Sequence, residues 1–121
     1  MDIQNIDRVP AFTTKDGSEI RELLAYRNSS IRKQSLAEAR LPVGASTAPH
    51  HHVATEEIYY VIEGRGLMRL GDESRPVSVG DAIAIPPGLL HQMTNTGPVV
   101  LKFLCCCAPA YEHSDTVLLD M

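Results

Sequence analysis

Glycine and proline turn signals divide this chain into short segments rich in branched and aromatic residues. The signals recur roughly every 8–12 residues, a spacing typical of an antiparallel β-sandwich or barrel. The segments are Gln34–Leu41, Glu56–Gly64, Arg65–Asp72, Pro76–Gly88, His91–Gly97 and Val99–Cys107. The best helical candidate, Ser18–Tyr26, follows Gly17 and ends in a polar turn, so we predict a strand there as well. The sequence therefore predicts an all-β domain.

Three turns are predicted from their residue types. Gly64–Gly66 separates two apolar runs, which predicts a hairpin turn that needs a positive φ. Gly71–Asp72 has the composition of a second hairpin turn. Pro86–Gly88 is expected to be a corner outside any central strand, because proline donates no hydrogen bond to a strand ladder.

Length and composition limit what this domain can be. A chain of 121 residues fits one domain, with a barrel core at about residues 30–107, an N-terminal arm (1–17) and a C-terminal tail (108–121). The net charge of -4 is scattered, whereas a nucleic-acid binder needs a concentrated basic face. No apolar run approaches the roughly 20 residues of a membrane span, and the first residues lack a signal-peptide pattern. We therefore expect a cytoplasmic protein with neither nucleic acid nor membrane as partner.

The three cysteines are adjacent, at Cys105–Cys107, and cannot staple distant parts of the chain. We interpret them as small hydrophobic residues of a strand rather than as redox or metal groups.

Three consecutive histidines are the most distinctive local pattern. In a strand, His50 and His52 point to one face and His51 to the other, so the first and third form a two-pronged clamp. Glu57 begins the next apolar run, where a carboxylate is costly to bury unless it is paired or binds a metal. His91 adds a third imidazole from a distant segment, and such a donor set suits Fe(II) and related divalent metals. As local patterns alone, a metal site and a run of surface histidines both remain open.

Two spaced patterns resemble the two motifs of the cupin superfamily. The first is Gly44, five residues, His50-x-His52, four residues, Glu57, six residues and Gly64. The second is Gly80, five residues, Pro86-x-Gly88, two residues, His91, three residues and Asn95. The resemblance implies a small single-domain cupin, which is an antiparallel double-stranded β-helix or jelly-roll barrel.

The resemblance also implies a ligand set. In cupins, the histidines and glutamate of these motifs bind one divalent metal, so His50, His52, Glu57 and His91 are the expected ligands. The ion could be Fe, Mn, Ni, Cu, Co or Zn. His51 occupies a free position of the motif and is expected at the surface or an interface.

The reaction is less constrained than the site. Four protein ligands leave one or two positions of a six-coordinate ion open to a substrate, water or dioxygen. We expect an enzyme acting on a small organic substrate, by dioxygenase-type oxidation or by Lewis-acid isomerase or lyase chemistry. Glu57 and Tyr59 are its candidate catalytic residues. The alternatives are a non-catalytic module that binds a small ligand or metal and a sugar-phosphate-isomerase-like cupin. The main cations available to a phosphate are Arg40, Arg65 and Arg69.

The sequence also bears on the oligomeric state and on the C-terminal tail. Exposed edge strands need covering or pairing, and small cupins commonly pair, so a homodimer is expected. The tail is open to two interpretations: an arm packed outside the barrel, or a lid in which Tyr111 covers the site.

Overall fold

The computed structural model describes residues 1–119 and forms two antiparallel sheets. Its strands are β1 (Phe12–Thr13), β2 (Glu19–Leu24), β3 (Ser35–Leu41), β4 (His50–His52), β5 (Glu56–Glu63), β6 (Arg65–Leu70), β7 (Glu73–Ser78), β8 (Ala82–Ile85), β9 (His91–Asn95), β10 (Leu101–Ala108) and β11 (Thr116–Leu118). One sheet has the order β1-β2-β3-β10-β5-β8 and the other β11-β4-β9-β6-β7. The prediction of an all-β fold is confirmed, as is a strand within Ser18–Tyr26.

The turns follow their residues, with one exception. Gly71, at a φ of 59°, helps to close the predicted hairpin between β6 and β7, in which Leu70 pairs with Glu73. Gly64 has the predicted positive φ of 80°, and a Cβ there would lie 2.9 Å from the Val100 carbonyl oxygen. The hairpin predicted at Gly64–Gly66 is wrong, because β5 pairs with β8 and β10 while β6 pairs with β7 and β9. This turn instead carries the chain from one sheet to the other.

The interior changes character along its strands. On β10, Phe103 is buried near the beginning and Cys107 near the end. Val61 of β5 lies opposite Phe103, whereas Glu57 lies opposite Cys107. The apolar core consists of Ala39, Leu41, Tyr59, Val61, Met68, Val77, Ile85, Met93, Leu101, Phe103 and Cys105. The barrel therefore has an apolar end and a polar end, and the polar end holds the histidines.

Both terminal segments reach that polar end. Strand β11 pairs with β4 and brings Thr116 opposite His52. The Lys15 ammonium, in the turn before β2, donates to the Thr116 carbonyl at 2.8 Å. The last two residues of the predicted tail, 120 and 121, lie outside the described part. Within residues 1–119, no helix is long and apolar enough to cross a membrane.

Candidate metal centre

Three buried histidines meet at the polar end. Strand β4 is only three residues long, and its alternation buries His50 and His52 while His51 points to the opposite side. His91 begins β9, where it pairs directly with His50. The potential ligand atoms of the three buried histidines lie within 4.8 Å of one another. Three histidines so arranged can hold a metal ion.

The outward nitrogen of each ring is already engaged. His50 Nδ1 lies 2.7 Å from the Ala48 carbonyl oxygen, and His91 Nδ1 lies 3.1 Å from that of Leu89. Because a carbonyl only accepts, each Nδ1 carries the proton and each Nε2 presents a lone pair to the interior. Such outer hydrogen bonds orient histidines that bind metals.

His52 has the same arrangement through a hydroxyl. Its Nδ1 lies 3.1 Å from Thr116 Oγ1, and this hydroxyl donates to the Glu112 carbonyl at 3.0 Å. The hydroxyl proton is therefore used, so the oxygen accepts from His52 Nδ1. The tail thus sets the tautomer of a ring on β4.

Glu57 completes the cluster. Its Oε1 lies 3.2 Å from His52 Nε2 and 3.6 Å from His91 Nε2, and its Oε2 accepts from the Cys107 thiol at 3.1 Å. Burial alone would raise the Glu57 pKa, whereas protons or positive charge on the His52 and His91 nitrogens that face it outweigh burial and lower it to about 2. A bound cation would take the place of those protons. Burial and the nearby His91 lower the pKa of His50, which favours its neutral form. The cluster at neutral pH therefore combines the Glu57 carboxylate with an uncharged His50 imidazole.

Two atoms of this cluster provide a test of whether it suits a cation. Glu57 Oε1 and His91 Nε2 are fully buried and have no hydrogen-bond partner. Both are acceptors in the protonation states described above, so their mutual approach cannot form a hydrogen bond. Unpartnered buried acceptors are rare and costly, and a divalent cation between them would satisfy both. The residues present therefore fit a metal ion.

Sequence reasoning missed one carboxylate near the centre. Asp16 lies in the turn between β1 and β2, and its Oδ2 stands 3.3 Å from His50 Nε2. No local pattern links this residue to the histidines, because only the fold brings the arm to β4. Its Asp-Gly sequence indicates a turn and nothing more.

A small cavity of about 30 Å³ adjoins the centre. Carboxylates of Asp16, Glu22 and Glu57 line it, together with the aromatic rings of Tyr59, Phe103 and Tyr111. Glu22 is paired with Arg27 at 3.2 Å, which leaves the other two carboxylates without a cationic side-chain partner apart from the histidines. In the described chain, no lysine or arginine lines this cavity.

The family model described as a cupin domain matches residues 37–107, which include all four expected ligands. The chain belongs to the cupin family. An uncharacterised protein from Methanocaldococcus jannaschii is 52% identical over 114 residues, covering 94% of this cupin and 91% of that protein. The oxalate-binding protein of Thermotoga maritima is 31% identical over 86 residues, covering 71% of each chain.

Among solved structures, the polyketide cyclase RemF from Streptomyces resistomycificus superposes with a TM-score of 0.81. Its sequence identity is 24%, and the match covers 100% of this cupin and 87% of that chain. At this identity the likeness shows the shared fold alone. It agrees with the predicted jelly-roll barrel.

The other candidate residues have these places. Tyr59 is buried, with its ring centroid 5.9 Å from His91 and 4.6 Å from Phe103. Burial raises the pKa of the Tyr59 phenol well above its usual value, so the group stays protonated at neutral pH. The Tyr111 ring stands edge-on to His52 with centroids 5.9 Å apart, so the tail does approach the site. Arg40 pairs with Glu38, and Arg40, Arg65 and Arg69 do not line the cavity.

Proposed function

We propose that this cupin is a metal-dependent enzyme whose substrate is a small neutral organic molecule. One divalent transition metal would be held by the Nε2 atoms of His50, His52 and His91 and by the Glu57 carboxylate. The observation that carries the proposal is the pair of unpartnered buried acceptors, Glu57 Oε1 and His91 Nε2. Outer hydrogen bonds on the three Nδ1 atoms support it, because they commit every ring to the metal-binding tautomer.

A bound divalent metal would supply Lewis-acid activation of an oxygen atom or, with a redox-active ion, one-electron chemistry. The protein's own residues would orient the ligands and bind the substrate. The Cys107 thiol orients Glu57 by donating to its outer oxygen, so the inner oxygen stays available. Glu57, with its low pKa, serves as a ligand rather than as an acid. Tyr59 keeps its proton and is proposed to donate a hydrogen bond to the substrate.

The lining of the cavity supports a neutral substrate. Phe103, Tyr59 and Tyr111 present apolar ring faces, while no cationic side chain of the described residues is available to a phosphate or carboxylate. A sugar phosphate would therefore have only the metal as a positive partner, which disfavours the isomerase-like alternative. Dioxygenase-type oxidation and Lewis-acid isomerase or lyase chemistry both fit this environment.

A non-catalytic binding module is the second candidate. It is favoured by one relative, since the Thermotoga maritima protein is named for oxalate binding. In this cupin the same cavity would hold a ligand at the metal without turnover. The two candidates share the metal site and differ only in whether the bound molecule changes.

We also propose a homodimer in the cytoplasm. The outward face of β5 exposes Ile58, Tyr60 and Ile62, an apolar row that a second copy would cover. The three free cysteines suit a reducing compartment. Light scattering at micromolar concentration should return twice the chain mass, and a monomer mass would contradict the dimer.

Metal analysis of a matched pair of variants tests the proposed metal site, on which the proposed function depends. Wild-type protein should retain close to one metal per chain after dialysis at neutral pH. His52→Ala should lose the metal while keeping its fold, whereas His51→Ala, on the opposite face of β4, should retain it. Equal loss in both variants would contradict the proposed ligand set.

Oxygen uptake and product analysis on substrate panels then separate the reaction classes. Metal-dependent oxygen uptake supports oxidation, and metal-dependent conversion without oxygen supports isomerase or lyase chemistry. Binding of a small molecule without conversion supports the binding module.

A further inference from the structure

Asp16 is held in one orientation by its own turn. Its Oδ1 accepts from the Thr14 hydroxyl at 2.6 Å, the Ser18 amide at 2.9 Å and the Ser18 hydroxyl at 2.6 Å. The turn itself is anchored beside β4, because the Ala48 amide donates to the Asp16 carbonyl at 2.7 Å. Three donors on one oxygen leave the carboxylate little freedom to rotate.

The other oxygen points at the centre. Asp16 Oδ2 lies 3.3 Å from His50 Nε2, the nitrogen proposed to bind the metal. Neutral His50 carries its single N–H on Nδ1 and donates it to the Ala48 carbonyl, so its Nε2 cannot donate to Oδ2. None of the hydrogen bonds in the described chain uses Oδ2. A fixed carboxylate oxygen therefore faces the cavity without a donor.

Asp16 and Glu57 contact different histidines of the cluster and differ in their exposure. Of the three buried histidines, Glu57 contacts His52 and His91 from the barrel interior, whereas Asp16 contacts His50 from a turn that lines the cavity. The Asp16 side chain is 12% exposed and that of Glu57 is 5% exposed. A molecule bound in the cavity next to the metal would therefore lie beside Asp16.

We propose that Asp16 is a specificity-determining residue that accepts a hydrogen bond from the bound molecule and excludes anions. This inference rests on the proposed metal-dependent function and narrows its substrate class. The substrate would be a neutral molecule that carries a hydroxyl or amide N–H donor next to the oxygen that binds the metal. A carboxylate in that position would meet a like charge with no lysine or arginine from the described residues to offset it.

Glycolamide and glycolate provide matched probes. Each carries a hydroxyl beside a metal-binding oxygen, but glycolamide is neutral and glycolate is an anion. The affinity of each would be measured on cobalt-loaded protein from the visible absorption of the ion. The metal's own preference for carboxylates enters the ratio of the two affinities equally in every variant, so it cancels when a variant's ratio is compared with that of the wild type.

The expected result is a change in this ratio without loss of metal. Asp16→Asn removes the charge and keeps an oxygen for the three donors, so cobalt should stay at the wild-type level. The ratio should shift towards glycolate by at least about tenfold, because one like charge beside the bound anion is gone. Asp16→Ser should shift it in the same direction. Glu56→Gln, the same charge change at an exposed position outside the cavity, should leave the ratio unchanged.

Three outcomes overturn the inference and can be told apart. Cobalt loss in Asp16→Asn as complete as in His52→Ala would make Asp16 a metal ligand instead. An unchanged ratio with full cobalt content would show that Asp16 does not face the bound molecule. Absence of cobalt uptake by the wild-type protein would contradict the proposed function, and the inference with it, before any variant is measured.

Discussion

The two ends of the barrel interior are built on the same strands, but one end holds apolar core residues and the other holds the candidate metal ligands. On β10, Phe103 packs in the apolar core, while Cys107 donates to the Glu57 carboxylate. On β9, His91 presents an unpartnered nitrogen, whereas Met93, two residues later, is fully buried among apolar neighbours. One alternating strand thus supplies a site at one end and a core at the other.

This contrast between an apolar end and a polar end indicates which end stabilises the fold. Apolar side chains gain free energy by leaving water, whereas buried acceptors that face one another lose solvation without a partner. The polar end is therefore a cost to the metal-free fold, and a bound cation would relieve it. Substitutions at the two ends should separate stability from metal binding.

Leu101→Ala should have the largest effect of these substitutions, and the property that it changes should be the stability of the fold. Leu101 is fully buried at the apolar end, so the substitution should lower the free energy of unfolding by about 2–5 kcal/mol. Metal per folded chain should stay at the wild-type level. Denaturant unfolding of the metal-free protein measures the first quantity and elemental analysis the second.

Val99→Ala is the matched control, because Val99 is half exposed just before the same strand. Its effect should stay within about 0.5 kcal/mol. Metal loss from folded Leu101→Ala would show that the two ends are coupled.

Where the motifs reach, strand alternation in the sequence predicted which side chains of the polar end share one face. Alternation separated His50 and His52 from His51, and the side-chain burial on β4 agrees. On β5 the same alternation buries Glu57 together with Tyr59 and Val61. A two-residue period leaves little choice once a strand has one buried face.

What sequence could not predict depends on contacts between distant segments. The chemistry of Gly64–Gly66 suits a hairpin and a crossing between sheets equally, because both need a positive φ after an apolar strand. Asp16 and Thr116 reach His50 and His52 only after both termini fold onto β4. No local pattern carries that information.

Glu57→Gln should strongly weaken metal binding. The substitution keeps an oxygen donor but removes the anionic charge, while the apolar core is untouched. Metal affinity should fall by more than the roughly 10–100-fold seen when an outer hydrogen-bond partner is removed. Competition with a chelator of known affinity measures it. Glu56→Gln, at the exposed neighbouring position on β5, should bind metal like the wild type. An equal loss of affinity in that variant would mean that the overall negative charge of the protein, and not the Glu57 ligand, determines metal binding.

Thr116→Val should have a smaller effect on the same quantity. Valine keeps the shape of threonine but leaves the His52 Nδ1 proton without its acceptor, so the ring loses its fixed tautomer. Metal affinity should fall roughly tenfold. Thr94→Val, which removes a hydroxyl bonded to Ser46 rather than to a histidine, should leave affinity unchanged. A wild-type affinity in Thr116→Val would mean that the tail does not orient His52.

The smallest effect concerns pH and the metal-free protein. Burial, together with the nearby His91, lowers the pKa of His50 in the folded state, whereas unfolded histidine titrates near 6.5. Below pH 6.5 the unfolded chain therefore binds more protons at this residue, and the free energy of unfolding falls as the pH drops. This contribution is less than about 1.4 kcal/mol for each pH unit and ends once the pH passes below the folded value. His50→Gln should flatten the decline measured by urea unfolding between neutral and mildly acidic pH, while His51→Gln should keep the wild-type slope. Identical slopes in the wild type and His50→Gln would mean that the polar end carries no penalty for protonation at this position.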